Sequence, residues 1–250
     1  MHIRVVTPVI PTGLTQASDF EGILRTDAVL DYIEIAAGPA SIECALDEVI
    51  AAPAVVAAVV EAEAEGVDAV LIDCMEDPGL VAARECVSIP VLGPCETAMN
   101  LACILGHRFS MLAVTENMRM AFENRARIYG AWDKYASTRS VEVPVLELRG
   151  DSDHLAERLL DASRLAIEKD GADTLVIGCT GMVGLAERLT TELLEAGFDV
   201  PVIDPIPVTA RMAELLTTSG LRHSKRAYPT PKRKPMRGFE NTALHKFSGP

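Results

Sequence analysis

Short apolar runs along this chain alternate with longer segments whose apolar residues recur at helical spacing. Residues 3–7 read as a strand, 54–65 as a helix, 69–72 as a strand, 80–86 as a helix and 91–92 as a strand. That is the pattern of a parallel sheet with crossover helices. The second half runs the same way: strand 109–114, helix 117–129, strand 145–148, helix 153–169, strand 175–177 and helix 185–196. Two similar α/β lobes are expected.

An internal repeat supports this reading. Gly66-Val67-Asp68-Ala69-Val70-Leu71-Ile72-Asp73-Cys74 aligns without gaps to Gly171-Ala172-Asp173-Thr174-Leu175-Val176-Ile177-Gly178-Cys179, and Gly79-Leu80 falls on Gly184-Leu185 at the same offset. Farther on, Ile89-Pro90-Val91-Leu92-Gly93-Pro94 matches Val200-Pro201-Val202-Ile203-Asp204-Pro205. Any two βαβ units share a glycine that ends a helix and an apolar run that becomes a buried strand. They need not share a cysteine at the carboxyl end of that strand, where open α/β sheets place ligand-contacting residues.

Composition narrows the function classes. The 250 residues, 49% hydrophobic, suffice for one large domain or two lobes. No leader-like or membrane-length apolar segment is present, so a cytoplasmic protein with no membrane partner is expected. Six cysteines without dense spacing read as reduced thiols, and five scattered His residues give no metal motif. The net charge is -13, yet residues 222–250 hold eight Lys/Arg and a single acid, Glu240. An acidic body repels phosphate, so no nucleic-acid partner is expected, and the ligand is expected to be a small molecule. The basic, Pro-rich tail 222–250 is expected to be disordered or to lie as an oligomer arm on an acidic neighbour.

Two opposed thiols can invert a carbon centre, one as base and the other as acid. Cys74 and Cys179 both read as lying just before a helix, where the helix dipole would lower a thiol pKa. The N–H groups of Met75, Glu76, Thr180 and Gly181 are then candidates to hold substrate oxygens. Lys134 and Lys169, the only lysines before the tail, read as surface residues, which leaves no pyridoxal lysine. Cys44, Cys86 and Cys103 read as small buried hydrophobes; Cys95 follows Gly93-Pro94 and could border the site, but has no counterpart in the second copy. No dinucleotide fingerprint follows any strand.

Cys74-Met75-Glu76-Asp77-Pro78-Gly79-Leu80, followed by Ala82-Ala83-Arg84-Glu85, resembles the first cysteine motif of the hydantoin and allantoin racemases. Gly178-Cys179-Thr180-Gly181-Met182 resembles their second, and Gly38-Pro39-Ala40-Ser41-Ile42-Glu43 a further loop. The likeness spans roughly residues 1–220. It implies two similar flavodoxin-like three-layer lobes with parallel sheets, related by a pseudo-two-fold axis, with the active site in the cleft between them. The implied lobes are 1–96, completed by a helix at about 208–221, and 97–207. The resemblance further implies no cofactor, a homo-oligomer, catalytic roles for Cys74 and Cys179, and a pocket lined by Pro8, Ile10 and Thr115.

Departures from the family pattern touch the pocket. Thr7-Pro8-Val9-Ile10 stands where Asn-Pro-Asn often follows the first strand, and Val114-Thr115-Glu116-Asn117 where Thr-Thr is expected. Met75 and Gly181 differ from the glutamate racemase motifs, which favours a ring such as a 5-substituted hydantoin over a free acidic amino acid. Arylmalonate decarboxylases keep only the second thiol, so Cys74 argues against that chemistry. The expectation is a two-cysteine racemase of a hydantoin or allantoin-like ring. The alternatives are an aspartate/glutamate-type racemase or a maleate isomerase using the same thiols, or a non-catalytic small-molecule binding protein.

Overall fold

The computed structural model describes residues 1–24 and 28–249. Strands β1 (His2–Thr7), β2 (Val29–Glu34), β3 (Ala69–Ile72) and β4 (Val91–Leu92) form one parallel sheet in the order β2-β1-β3-β4. Strands β5 (Phe109–Ala113), β6 (Tyr135–Ser140), β7 (Thr174–Ile177) and β8 (Val202–Ile203) form a second, ordered β6-β5-β7-β8. The shared order makes the lobes topological copies. Central strands β3, β5 and β7 are fully buried and mostly apolar, since helices cover both faces, while β1 is buried at Ile3 and Val5–Thr7 and half-buried at His2 and Arg4.

Each lobe's own helices flank its sheet: α1 (Ala45–Ala64) and α2 (Leu80–Cys86) in the first, α4 (Met118–Ile128), α5 (Ser152–Glu168) and α6 (Leu185–Glu195) in the second. The last helix of each half is exchanged. Helix α3 (Pro94–Leu105) follows β4 but packs on β5 and β7, and α7 (Pro205–Thr218) follows β8 but packs on β1, β3 and β4. Cys95, Ala98, Met99 and Ala102 of α3 accordingly belong to the second lobe's core, while Ile206, Ala210 and Ala213 of α7 cover Val5, Leu71 and Ile3. The lobe limits expected at 96/97 and 207/208 fall in the first turns of these two helices.

Several local readings differ from the structure. Strand β6 occupies residues 135–140, and Val145–Glu147 forms a 3-10 turn rather than a strand. Edge strands β2 and β6 carry half-exposed side chains, so they lack the apolar signature that marks a buried strand. Helix α1 starts nine residues before position 54 and runs through Pro53, which lies inside it on its exposed face. Cys44 is consequently an exposed N-cap and not a buried hydrophobe. Lys134 is half-buried, and its Nζ caps the end of α3 by donating to the carbonyls of Cys103 and Gly106.

The basic segment 222–249 lies on the chain's own first lobe. Lys225 Nζ donates to the Arg84 and Glu85 carbonyls at 2.8 and 3.0 Å, capping α2. His223 Nε2 accepts the Val91 N–H of edge strand β4 at 2.9 Å, and burial pushes this imidazole down to about 4, in keeping with a neutral acceptor. A turn at Ala243–Phe247 covers α1. No helix of the described residues is long and apolar enough to cross a membrane.

Candidate active site

The loops that carry the two cysteines are built alike. Each leaves a buried strand, turns back on itself through a hydrogen bond to the cysteine carbonyl (Asp77 N to Cys74 O, 3.0 Å; Met182 N to Cys179 O, 3.2 Å), and reaches a glycine with positive φ. Gly79 (φ 73°) and Gly184 (φ 75°) are the N-caps of α2 and α6, which explains why the repeat keeps glycine there. The helices therefore begin at Leu80 and Leu185, well beyond the thiols. The expected placement of each thiol at a helix N-terminus is corrected accordingly.

Cys74 and Cys179 line one cavity of about 240 Å³ between the lobes. Pro8, Met75, Glu76, Thr180 and Gly181 line it with them; Ile10 and Thr115 do not. The Ile10 N–H is instead bound to the Pro39 carbonyl at 3.0 Å, and the Thr115 carbonyl accepts the Met118 N–H at 3.2 Å at the entrance to α4. Cys95 is buried in the second lobe's core, outside the cavity wall. From the loop singled out at 38–43, Ala40 and Ile42 reach the cavity.

The electrostatics differ from the expectation of acidified thiols. Burial pushes Cys179 up to about 12, and Asp73 and Glu43 add to the rise; burial pushes Cys74 well above the usual thiol range, with Glu76, Cys179 and Asp77 adding to it. Backbone donors oppose the rise: Glu76 N–H points at Cys74 Sγ (3.4 Å), and Gly181 and Met182 N–H at Cys179. The Glu76 and Gly181 amides thus serve the sulfurs, while among the described residues those of Met75 and Thr180 donate to no protein acceptor. Carboxylates around the cavity are likewise shifted by burial, Asp73 and Asp204 to about 6 and Glu76 to about 7.

Polar ties join the lobes around this cavity. Thr180 Oγ1 donates to the Asp73 carbonyl (3.3 Å), Val145 N–H to Glu43 (3.3 Å), Tyr129 OH to Asp77 (2.7 Å), and Arg125 pairs with Glu76 and Glu48. Arg149 holds the segment that covers the cavity, donating to the Leu14 carbonyl and to Asp19. Asp77 also caps α3, accepting from Cys95 N–H and Glu96 N–H at 3.1 and 3.0 Å. Sequence reasoning missed Asp73, Asp204 and the covering residues Leu14, Asp19, Phe20 and Ile23, all of which line the cavity. The first two were visible as the places where the internal repeat sets an aspartate against a glycine, at 73/178 and 204/93. The covering segment carries no periodic signal. Among the described residues no group of His, Cys, Asp and Glu could hold a metal ion.

The two parallel α/β lobes are pseudo-symmetric, and each contributes a thiol to the shared cavity. The chain belongs to the Asp/Glu/Hydantoin racemase family, whose model matches residues 17–213. It is 34% identical over 238 residues to a hydantoin racemase of Rhizobium meliloti, covering 93% of this chain and 96% of that one. It is also 34% identical over 238 residues to a hydantoin racemase of Paenarthrobacter aurescens, covering 94% and 99%. Among solved structures, an allantoin racemase from Klebsiella pneumoniae superposes with a TM-score of 0.89 at 30% identity, over 96% of this chain and 97% of that one. The chain is an isomerase of the racemase type.

Proposed function

We propose that this racemase inverts the C5 centre of a 5-substituted hydantoin or allantoin-like ring without a cofactor, with Cys74 and Cys179 as its two proton-transfer groups. The observation that carries the reading is the placement of both thiols, from equivalent strand ends of the two lobes, on one cavity wall. In one direction the first sulfur, as thiolate, takes the C5 proton. Negative charge then develops on the adjacent ring carbonyl oxygen, and the second sulfur, as thiol, returns a proton to the opposite face. The amides of Met75 and Thr180, which line the cavity and donate to no protein acceptor, are assigned in this reading to hold that oxygen. A ring carbonyl beside the C–H bond acidifies it enough for a sulfur base. The names of the relatives, hydantoin and allantoin racemases, support the same ring chemistry.

The test is proton NMR in deuterated buffer with each enantiomer of several 5-substituted hydantoins. Loss of the C5 proton signal from both enantiomers, with racemisation, is expected with the wild-type chain; Cys74→Ser and Cys179→Ser are each expected to lose racemisation and to exchange at most the one enantiomer whose C5 proton faces the remaining thiol. Full racemisation by both variants would remove the two-thiol mechanism. Turnover of aspartate or maleate without any ring would remove the substrate class.

A further inference from the structure

The cavity wall is acidic, and two of its four carboxylates lack a cationic partner among the described residues. Asp19, Asp73, Glu76 and Asp204 line it, and no Lys, Arg or His does among the described residues. Asp19 is paired with Arg149 and Glu76 with Arg125. Asp73 and Asp204 have no cationic partner among the described residues. Asp73 accepts from Thr7 Oγ1 at 3.0 Å, and Asp204 from the Ile206 N–H at 3.3 Å as the N-cap of α7.

These two carboxylates are also where the pseudo-symmetry of the site breaks. The repeat places Gly178 opposite Asp73 and Gly93 opposite Asp204. Neither glycine has room for a side chain: a Cβ at 178 would lie 2.6 Å from the Leu112 carbonyl oxygen, and one at 93 would overlap the Asp77 carboxylate. A racemase needs its two proton-transfer groups on both faces of the stereocentre, but the substituent on that centre must go to one side. Asp73 and Asp204 both line the cavity, whereas of their counterparts Gly178 lines it without a side chain and Gly93 lies outside its wall. Phe20, Ile23 and Ile206 stand on the acidic side as an apolar wall. Burial raises both Asp73 and Asp204 to about 6, still below pH 8, and neither carboxylate has a cationic partner among the described residues.

We propose that Asp73 and Asp204 determine specificity, favouring a 5-substituent that is an aliphatic stem ending in a cationic nitrogen and rejecting one that ends in a carboxylate. The stem packs on the apolar wall while its ammonium or guanidinium meets the carboxylate pair. An anionic end meets two like charges and no donor side chain of opposite sign. This inference rests on the hydantoin reading above.

The experiment compares three hydantoins whose straight 5-substituents have similar length and end in an amine, a methyl or a carboxylate. C5 exchange is followed by NMR at pH 8 with the full chain. The expected order of kcat/KM is amine, then methyl, then carboxylate, with amine ahead of carboxylate by on the order of 100-fold. Asp73→Asn and Asp204→Asn are each expected to shrink the amine-to-methyl ratio about tenfold. That ratio is taken within one preparation, so partial misfolding leaves it unmoved. If the methyl-ended ring exchanges and the amine-ended ring is no faster, or neither variant moves the ratio, the inference falls and the hydantoin reading stands. Silence with all three rings removes both.

Discussion

Thr180 Oγ1 donates to the main-chain carbonyl of Asp73 at 3.3 Å, so the residue after one thiol is bound to the residue before the other. The bond crosses between lobes, from the end of β7 to the end of β3. The spacing of two opposed proton-transfer groups must be held closely, since small misplacement of reacting atoms costs rate steeply. This bond is the most direct tie between the two cysteine loops. Thr180→Val keeps the side-chain shape and removes the donor. It is expected to lower kcat for ring racemisation by about 10- to 100-fold and to cost about 1 kcal/mol of stability. Thr180→Ser restores the donor and should recover most of the rate. Steady-state kinetics and thermal unfolding of the pair check this; equal kcat in the valine variant and wild type would remove the role.

The thiols should behave as weak acids. Both lie above the usual thiol range, Cys179 at about 12, because burial and nearby carboxylates disfavour the thiolate. A raised pKa means less thiolate at neutral pH, so kcat/KM should climb by up to about tenfold per pH unit on the alkaline side until the apparent pKa of the pair is reached. Alkylation should follow the same sign. Exposed Cys44 is expected to react with iodoacetamide before Cys74 and Cys179 at pH 7.5. Peptide mass spectrometry at timed quenches orders the three sites. Labelling of Cys74 or Cys179 ahead of Cys44 would show that the resting site stabilises a thiolate.

Much of this site is legible without coordinates because the repeat is physical. Gly79 and Gly184 recur because both helices start from a left-handed residue. Asp68 and Asp173 recur because each accepts a backbone N–H at the start of the lobe's first strand, His2 in one copy and His107 and Arg108 in the other. What the pattern hides is contact at long range. The exchange of α3 and α7 shows in neither helix's periodicity, since each needs only an apolar face and not a particular sheet. Ile10 and Thr115 follow strands β1 and β5, as a pocket reading requires, yet neither reaches the cavity wall. The thiol shifts also depend on burial in three dimensions, which outweighs the backbone donors that the local turn supplies.

Arg149 should control access. It reaches from the second lobe to the Leu14 carbonyl and to Asp19, and it is absent from the cavity wall while Leu14, Asp19 and Phe20 are part of that wall. Removing the guanidinium frees the covering segment without touching the thiols. Arg149→Ala is expected to raise KM by about 5- to 20-fold with kcat changed by less than about threefold, and to speed alkylation of Cys74 and Cys179. Arg149→Lys, which keeps charge but loses the planar fork, should fall between. A fall in kcat with KM unchanged would show that the segment acts on the chemistry and not on entry.

Gly93 ties the first cysteine loop to the helix that crosses into the second lobe. Asp77, three residues after Cys74, holds its unusual backbone (φ 47°) while its two oxygens accept from Cys95 and Glu96 at the start of α3. That approach is possible because residue 93 has no side chain; a Cβ there would occupy the position of the Asp77 carboxylate. Gly93→Ala therefore forces the carboxylate off its cap and leaves the buried Cys95 amide and the part-buried Glu96 amide without their acceptor. The expected cost is about 2 kcal/mol or more. It should appear in chemical unfolding as a lower midpoint with unchanged slope. Asp77→Asn keeps the shape and one acceptor, so it should cost less than Gly93→Ala. If the alanine variant were as stable as wild type, the cap would not be what holds the loop, and the position of Cys74 would have to be fixed by the remaining ties through Thr180, Tyr129 and Arg125.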